Sequence, residues 1–150
     1  MKRGVDYIGV GVGGVIINRE GKIFCHKRGN NSRNERGKWD MPGGSVEFNE
    51  KCEDALVREM IEEHGFVVEP VEFLEFCNHI IKDEGQHWVA LTFICRVKEG
   101  EPKILEPEKC EEIGWFTMDE IGKLNLSITT RLDYQCLLKK FPNGLPNLYE

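Results

Sequence analysis

Residues 44–66 read GSVEFNEKCEDALVREMIEEHGF, and this stretch decides the fold. Its fixed points are Gly44, Glu50, the pair Arg58-Glu59, the apolar Met60, the pair Glu62-Glu63, Gly65 and Phe66. The periodicity predicts a helix from Asn49 or Glu50 to His64, with Asn49 as N-cap and Gly65 as the left-handed residue that ends it. At about 100° per residue and with Glu59 at zero, Glu63 falls near 40°, Glu62 near −60° and Arg58 near −100°. Leu56, Val57, Met60 and Ile61 cover the opposite arc. The reading is therefore an apolar face laid on a sheet and an acidic face turned away from it.

That acidic face is unusual for a helix built only for stability. Glu59 neighbours both Glu62 and Glu63 one turn on, and each like-charge pair costs about a few tenths of a kcal/mol. Hard divalent cations, Mg²⁺ or Mn²⁺, seek carboxylate oxygens and relieve such repulsion. A solvated acidic face is the plainer reading of most such helices. Here the Gly43-Gly44 pair stands beside it, where bare backbone approaches a ligand closely.

Working outward, YIGVGVGGVIIN (7–18) and KIFCHKR (22–28) read as two strands of a hairpin around Asn18-Arg19-Glu20-Gly21. GNNSRNERGK (29–38) is a polar loop, and Trp39–Gly44 leads into the short extended piece SVEF. Past Gly65 come a strand over 66–76, a loop over 77–88 and the apolar strand WVALTFICRV (88–97). A charged loop (99–112), a short strand (113–117), a helical turn or two (118–123) and a last helix over 130–141 follow, with Leu132, Cys136, Leu137 and Leu138 on its inner side. Strands mixed with helices on this scale predict an α/β or α+β sandwich.

The chain of 150 residues fits one domain over 1–150. Its 40% hydrophobic and 31% charged content is that of a globular protein. No apolar run approaches the roughly 18 residues of a membrane span, and the N-terminus lacks the apolar core of a signal peptide, so a cytoplasmic location is expected. The six cysteines contain no C-x-x-C pair, which argues against a zinc cage, and Cys52, Cys95 and Cys136 read as small core residues. A net charge of −6 argues against a general nucleic-acid surface. An acidic protein acting on polyphosphates needs cations to bridge the two.

The stretch from Gly44 to Phe66 resembles the signature of the Nudix hydrolase family at every constrained position, and the flanking order of strands is similar to the family's α/β/α sandwich with a mixed central β-sheet. The resemblance implies hydrolysis of a nucleoside diphosphate linked to another moiety, with Mg²⁺ (or Mn²⁺) held by Glu59, Glu62, Glu63 and the carbonyl of Gly43. It implies that Arg58 orients Glu59 or Glu50. Glu50 has a second reading as a helix N-terminal residue favoured by the macrodipole. The general base often comes from a distal loop in this family. Glu106, Glu108, Glu111 and Glu112 are the candidates, with Glu111 and Glu108 preferred.

Substrate class lies outside the signature. The extra motif of coenzyme A pyrophosphatases, the downstream proline of ADP-ribose pyrophosphatases and the tyrosine of dinucleoside polyphosphate hydrolases are not found. GVGVGGVI, MPGGSVEF, QHWVALTFICRV and EPEKCEE, in that order, look like the MutT-like nucleoside triphosphate pyrophosphohydrolases, in particular those that act on thiopurine nucleotides. That looser resemblance implies cleavage of an NTP or dNTP to monophosphate and pyrophosphate, by a homodimer. Lys27 and Arg28 are candidates for phosphate. Trp39, His79 and His87 are candidates for the base, and Gly44 for close backbone approach, while Trp88 reads as strand core. A non-catalytic nucleotide sensor would be expected to erode the signature. A Ca²⁺ module would place its carboxylates in a loop rather than on a helix.

Overall fold

The computed structural model describes residues 1–32 and 35–149. The strands are β1 (Gly9–Ile17), β2 (Ile23–Arg28), β3 (Trp39–Asp40), β4 (Gly43–Ser45), β5 (Val67–Ile81), β6 (Gln86–Glu99) and β7 (Cys110–Phe116). The helices are α1 (Cys52–His64), α2 (Met118–Ile121) and α3 (Ile128–Lys140). The strands join in one mixed sheet whose main path runs β3-β2-β1-β6-β5, with β4 paired to β1 and β7 to β2. β1 lies parallel to β6 from Gly9↔Trp88 to Ile17↔Arg96; the other pairings are antiparallel.

Side-chain alternation along the central strands splits the core in two. Val12, Ile16, Phe24, Phe93 and Cys95 face one side and pack with Ala55, Leu56 and Met60 of α1. Val15, Ile17, Ile23, Cys25 and Ile94 face the other and pack with Ile121 of α2 and Leu137 of α3. Helices on both faces of a mixed sheet make the α/β/α sandwich.

The structure corrects several boundaries. The expected hairpin of the first two strands touches at one Cα pair, Ile17↔Ile23; β1 spends its length on β6 and β4 instead. The expected loop at 77–88 is the tip of a long hairpin, in which β5 runs on to Ile81, Lys82–Glu84 form a single 3-10 turn, and Gly85 in the left-handed region reverses the chain. The first helix begins at Cys52, and its N-cap is Lys51, without a side-chain cap bond. Asn49 is itself left-handed, with φ 70°, so neither it nor Glu50 opens the helix. Gly65 ends it in the left-handed region as expected, with φ 66°. In α3 the buried residues are Thr130, Asp133 and Leu137, whereas Leu132 and Leu138 are exposed and Cys136 is partly exposed. Arg33 and Asn34, in the loop expected at 29–38, lie outside the described residues.

Candidate active site

The wheel of α1 turns out to be offset from the sequence reading. Ala55, Leu56, Met60 and His64 are its buried residues, and Ile61 is 48% exposed. The buried arc therefore runs from Ala55 through Glu59 and Glu63 to Leu56, Met60 and His64. Two of the three carboxylates sit on the sheet side, not opposite it, and Glu62 alone of the three is largely exposed, its side chain 56% accessible.

Glycine makes room for this. A Cβ on Gly44 would lie 2.1 Å from Cδ of Glu59, so the Glu59 carboxyl group rests against bare backbone of β4. A Cβ on Gly43 would collide with the Val12 carbonyl at 1.9 Å, which keeps β4 tight against β1.

Arg58 ties the acidic residues together. Its Nε and Nη2 donate to the two oxygens of Glu50 at 2.7 and 2.9 Å. Nη1 donates to Glu59 at 3.1 Å and Glu62 at 3.2 Å, and Nη2 also donates to the Ser45 carbonyl at 3.0 Å. The expected orienting role meets both Glu50 and Glu59 and adds Glu62. The Arg58 hydrogen bond holds Glu50 down to about 2.

Among the described residues Glu63 has no guanidinium partner. Burial, then the charges of Glu59 and Glu106, push its pKa up to about 8. Glu59 is also raised, by burial first, against the opposing pull of Arg58. Both carboxyl groups of this adjacent pair therefore stand above the ordinary carboxylate range. Excess negative charge beside bare backbone, with oxygen donors only, fits a hard divalent cation.

Glu106 arrives through backbone satisfaction. The last carbonyls of α1 lack helical partners; the Lys103 N–H donates to the His64 carbonyl at 2.8 Å and the Leu105 N–H to the Glu63 carbonyl at 3.3 Å. This lays the 100–109 segment across the helix end and brings Glu106 to Glu63.

Glu63 and Glu106 line one side of a cavity of about 430 Å³, and Gly43 and Gly44 line it too. Farther along lie Arg28, His79, Trp88, Thr92 and Asp133. Trp88 is not plain core: its indole fills the space where Cβ atoms on Gly4 and Gly9 would stand, each 2.4 Å away, and it walls the cavity. Asp133 of α3 is 5% exposed and accepts a hydrogen bond from Thr92 Oγ1 at 3.1 Å. Burial, then a hydrogen bond with Glu75, raise its pKa well above the usual range. His79 Nε2 and Glu75 Oε2 are buried without a hydrogen-bond partner among the described residues.

Other expected residues stand elsewhere. Lys27 points away from the cavity and pairs with Glu111 at 3.2 Å, so neither joins the site. Trp39 packs edge-on against Phe116 in the second core, with ring centroids 5.1 Å apart. His87 lines a separate shallow groove with Ile80 and Lys82. Arg28 does reach the cavity, but its Nη1 donates to Asp40 at 2.9 Å. Asp40 is buried, and Ser127 Oγ and Thr130 Oγ1 also donate to it. Burial alone would raise it, yet the neighbouring His26, 3.9 Å away, and the Arg28 charge bring it well below the usual carboxylate range. The sequence reading singled out none of Asp40, Asp133, Thr92, His26 and His64; their meeting joins residues up to 90 positions apart.

A carboxylate cluster that reaches a cavity through Glu63, on the first helix of an α/β/α sandwich, is an arrangement suited to a hydrolase that works with a divalent cation. The NUDIX domain family matches residues 8–137, and the chain belongs to it. Within it the likeness is to MutT-like proteins. A MutT-like protein of Streptomyces ambofaciens is 30% identical over 114 residues, covering 76% of this chain and 67% of that protein. An ADP-ribose pyrophosphatase of Methanocaldococcus jannaschii is 35% identical over 109 residues, covering 73% of this chain and 62% of that protein, less than two thirds of its length. The crystal structure of a MutT Nudix hydrolase from Burkholderia pseudomallei superposes with TM-score 0.80 at 35% identity, over 88% of this chain and 99% of that one.

Proposed function

We propose that the protein is a Mg²⁺-dependent pyrophosphohydrolase that cleaves nucleoside (deoxy)triphosphates to the monophosphate and pyrophosphate. The observation that carries this reading is the lining of one cavity: the carboxylates of Glu63 and Glu106, suited to a cation, and the buried Asp133, its pKa raised by burial, with a His79 Nε2 that has no hydrogen-bond partner among the described residues. A polyphosphate suits the first pair and the edge of a nucleobase the second, with Trp88 beside it.

Glu59, Glu62, Glu63 and the Gly43 carbonyl are the proposed ligands. Bound there, Mg²⁺ or Mn²⁺ neutralises phosphate charge and makes water a better nucleophile. Arg58 holds Glu59 and Glu62 in place from behind. Water attacks phosphorus, the new P–O bond forms, the anhydride P–O bond breaks, and pyrophosphate leaves. The proton of the attacking water goes to a carboxylate. We assign that role to Glu106, which lines the cavity beside Glu63, in place of Glu111.

Two further parts of the reading have their own support. A row of exposed apolar residues on the edge strand β5, Val71, Phe73, Phe76 and Ile80, suits a homodimer contact. All six cysteines are unpaired, which suits the reducing cytoplasm. Among the described residues no helix is long and apolar enough to cross a membrane.

The test is a Mg²⁺-dependent screen of NTPs, dNTPs, oxidised nucleotides, ADP-ribose and nucleotide sugars with product identification. Pyrophosphate released from a triphosphate supports the proposal. The archaeal relative's name favours ADP-ribose as a second reading, and activity confined to ADP-ribose or a nucleotide sugar would establish that one instead.

A further inference from the structure

One cluster in the cavity wall takes no part in the chemistry above. His26 of β2, His64 at the end of α1 and Cys110 at the start of β7 offer ligand atoms that all lie within 4.8 Å of one another. His64 is fully buried, Cys110 is 5% exposed, and the His26 side chain is 12% accessible. All three line the cavity.

The hydrogen bonds fix which lone pairs are on offer. His64 Nδ1 stands 2.8 Å from the Lys103 carbonyl. A carbonyl only accepts, so Nδ1 carries the proton and Nε2 presents its lone pair. That lone pair faces His26 Nδ1 at 2.9 Å. The other nitrogen of His26, Nε2, lies 3.9 Å from the Asp40 carboxylate. Moving the His26 proton from Nδ1 to Nε2 turns it toward that carboxylate and frees Nδ1. Each imidazole then has one nitrogen aimed at the cluster and the other toward an oxygen acceptor behind it, the outer-shell arrangement of metal-bound histidines.

We propose that His26, His64 and Cys110 form a second cation site, for a borderline-soft divalent transition metal of the Zn²⁺ class, distinct from the carboxylate site. Two imidazoles and a thiolate select Zn²⁺ over Mg²⁺ or Ca²⁺. Bond lengths of about 2.0–2.1 Å to nitrogen and 2.3 Å to sulfur place tetrahedral ligand atoms roughly 3.4–3.6 Å apart. The two nitrogens open slightly from 2.9 Å, and the sulfur draws in. Binding releases one proton, from the Cys110 thiol, to solvent. The fourth position faces the cavity, the pattern of a three-ligand open site. Because His64 directly follows Glu63, occupancy ties the end of α1 to β2 and β7 beside the hydrolytic carboxylates.

The test uses Co²⁺ as a spectroscopic probe on the purified protein, with Mg²⁺ in large excess to occupy the carboxylate site. One equivalent of Co²⁺ should give a thiolate-to-cobalt charge-transfer band in the near ultraviolet, and added Zn²⁺ should remove it. Cys110→Ser should abolish the band and weaken Zn²⁺ binding by roughly tenfold or more, while Glu59→Gln keeps the band. If Cys110→Ser fails to fold, His26→Gln is read the same way for Zn²⁺ affinity. No charge-transfer band in the wild type, or a band undiminished in Cys110→Ser, overturns the proposal. Neither outcome touches the hydrolase reading, which is scored in Mg²⁺ alone.

Discussion

Metal-free protein should lose stability as pH rises, and Glu63→Gln should remove much of that loss. A carboxyl group whose folded value lies above its unfolded one keeps its proton in the native state after the unfolded chain has lost it. Its contribution is therefore whole below about pH 4.5 and is lost as pH climbs through about 8, the value to which burial and the charges of Glu59 and Glu106 push Glu63. At about 1.4 kcal/mol per pH unit the ceiling on that loss is near 5 kcal/mol. The proton is shared with Glu59, which lowers the figure, so we expect roughly 2–4 kcal/mol. For a domain of this size that is a fall in Tm of about 5–12 °C. The assay is thermal or urea unfolding in EDTA at pH 5.5, 6.5, 7.5 and 8.5, for wild type and Glu63→Gln. Asp133 is also raised and slopes both curves the same way, so the difference between them reports the Glu59 and Glu63 pair. Mg²⁺ should stabilise the wild type more at pH 8 than at pH 6, because only the deprotonated cluster binds it. Parallel wild-type and Glu63→Gln curves would refute the reasoning.

Four shorter predictions follow from the same geometry. Gly44→Ala places a Cβ 2.1 Å from the Glu59 carboxyl carbon; turnover should drop by roughly a hundredfold or more with the circular dichroism spectrum unchanged, and undiminished turnover would count against the close contact. Arg58→Lys cannot reproduce the five donated hydrogen bonds and should cost about 1–3 kcal/mol in urea unfolding as well as activity. Asp133→Asn and His79→Ala should raise KM for nucleoside triphosphates about tenfold while kcat stays within a few-fold; a fall in kcat alone would remove them from base binding. Phe76→Glu on the edge strand, where Phe76 is 61% exposed, should shift the protein to monomer in light scattering, and an unchanged mass would move the dimer contact elsewhere or exclude it.

The acidic helix was legible because its spacing is local: Arg58, Glu59, Glu62 and Glu63 need only a 3.6-residue repeat to share a turn. Which side of the helix meets the sheet was misread for an equally physical reason. Apolar residues were weighed by kind, so Ile61 was placed inside, whereas the small Ala55 and the imidazole of His64 mark the buried edge. The long hairpin of β5 and β6 was missed because Asn78 and His79 look like loop, yet an edge strand tolerates polar residues on its open side, and only Lys82–Glu84 form the turn. Strand alternation is why Glu111, one of the preferred candidates for the base, stands away from the cavity that Glu106 lines. Lys27 and Arg28 point to opposite faces of β2, and β7 carries Glu111 to the Lys27 side. The Asp40, Ser127 and Thr130 cluster had no signal at all, since each contact joins elements that meet only through tertiary packing.

The offset of the wheel has a consequence for how the site works. Carboxylates on an open helix face would be solvated, and each like-charge pair would cost little. Turned toward the sheet, Glu59 and Glu63 lose much of their water, and the same repulsion weighs more because the surroundings screen it less. Arg58 answers part of it, but its fork is taken up by Glu50, Glu59 and Glu62, and Glu63 keeps a pKa raised by burial and by the charges of Glu59 and Glu106. On the proposed reading, a divalent cation would bring two charges and bonds to oxygens already held in position by Arg58 and by the bare backbone of Gly44. The fold thus keeps an uncompensated negative site ready beside a cavity, and the part of its stability withheld in the metal-free state is the differential that draws the cation in.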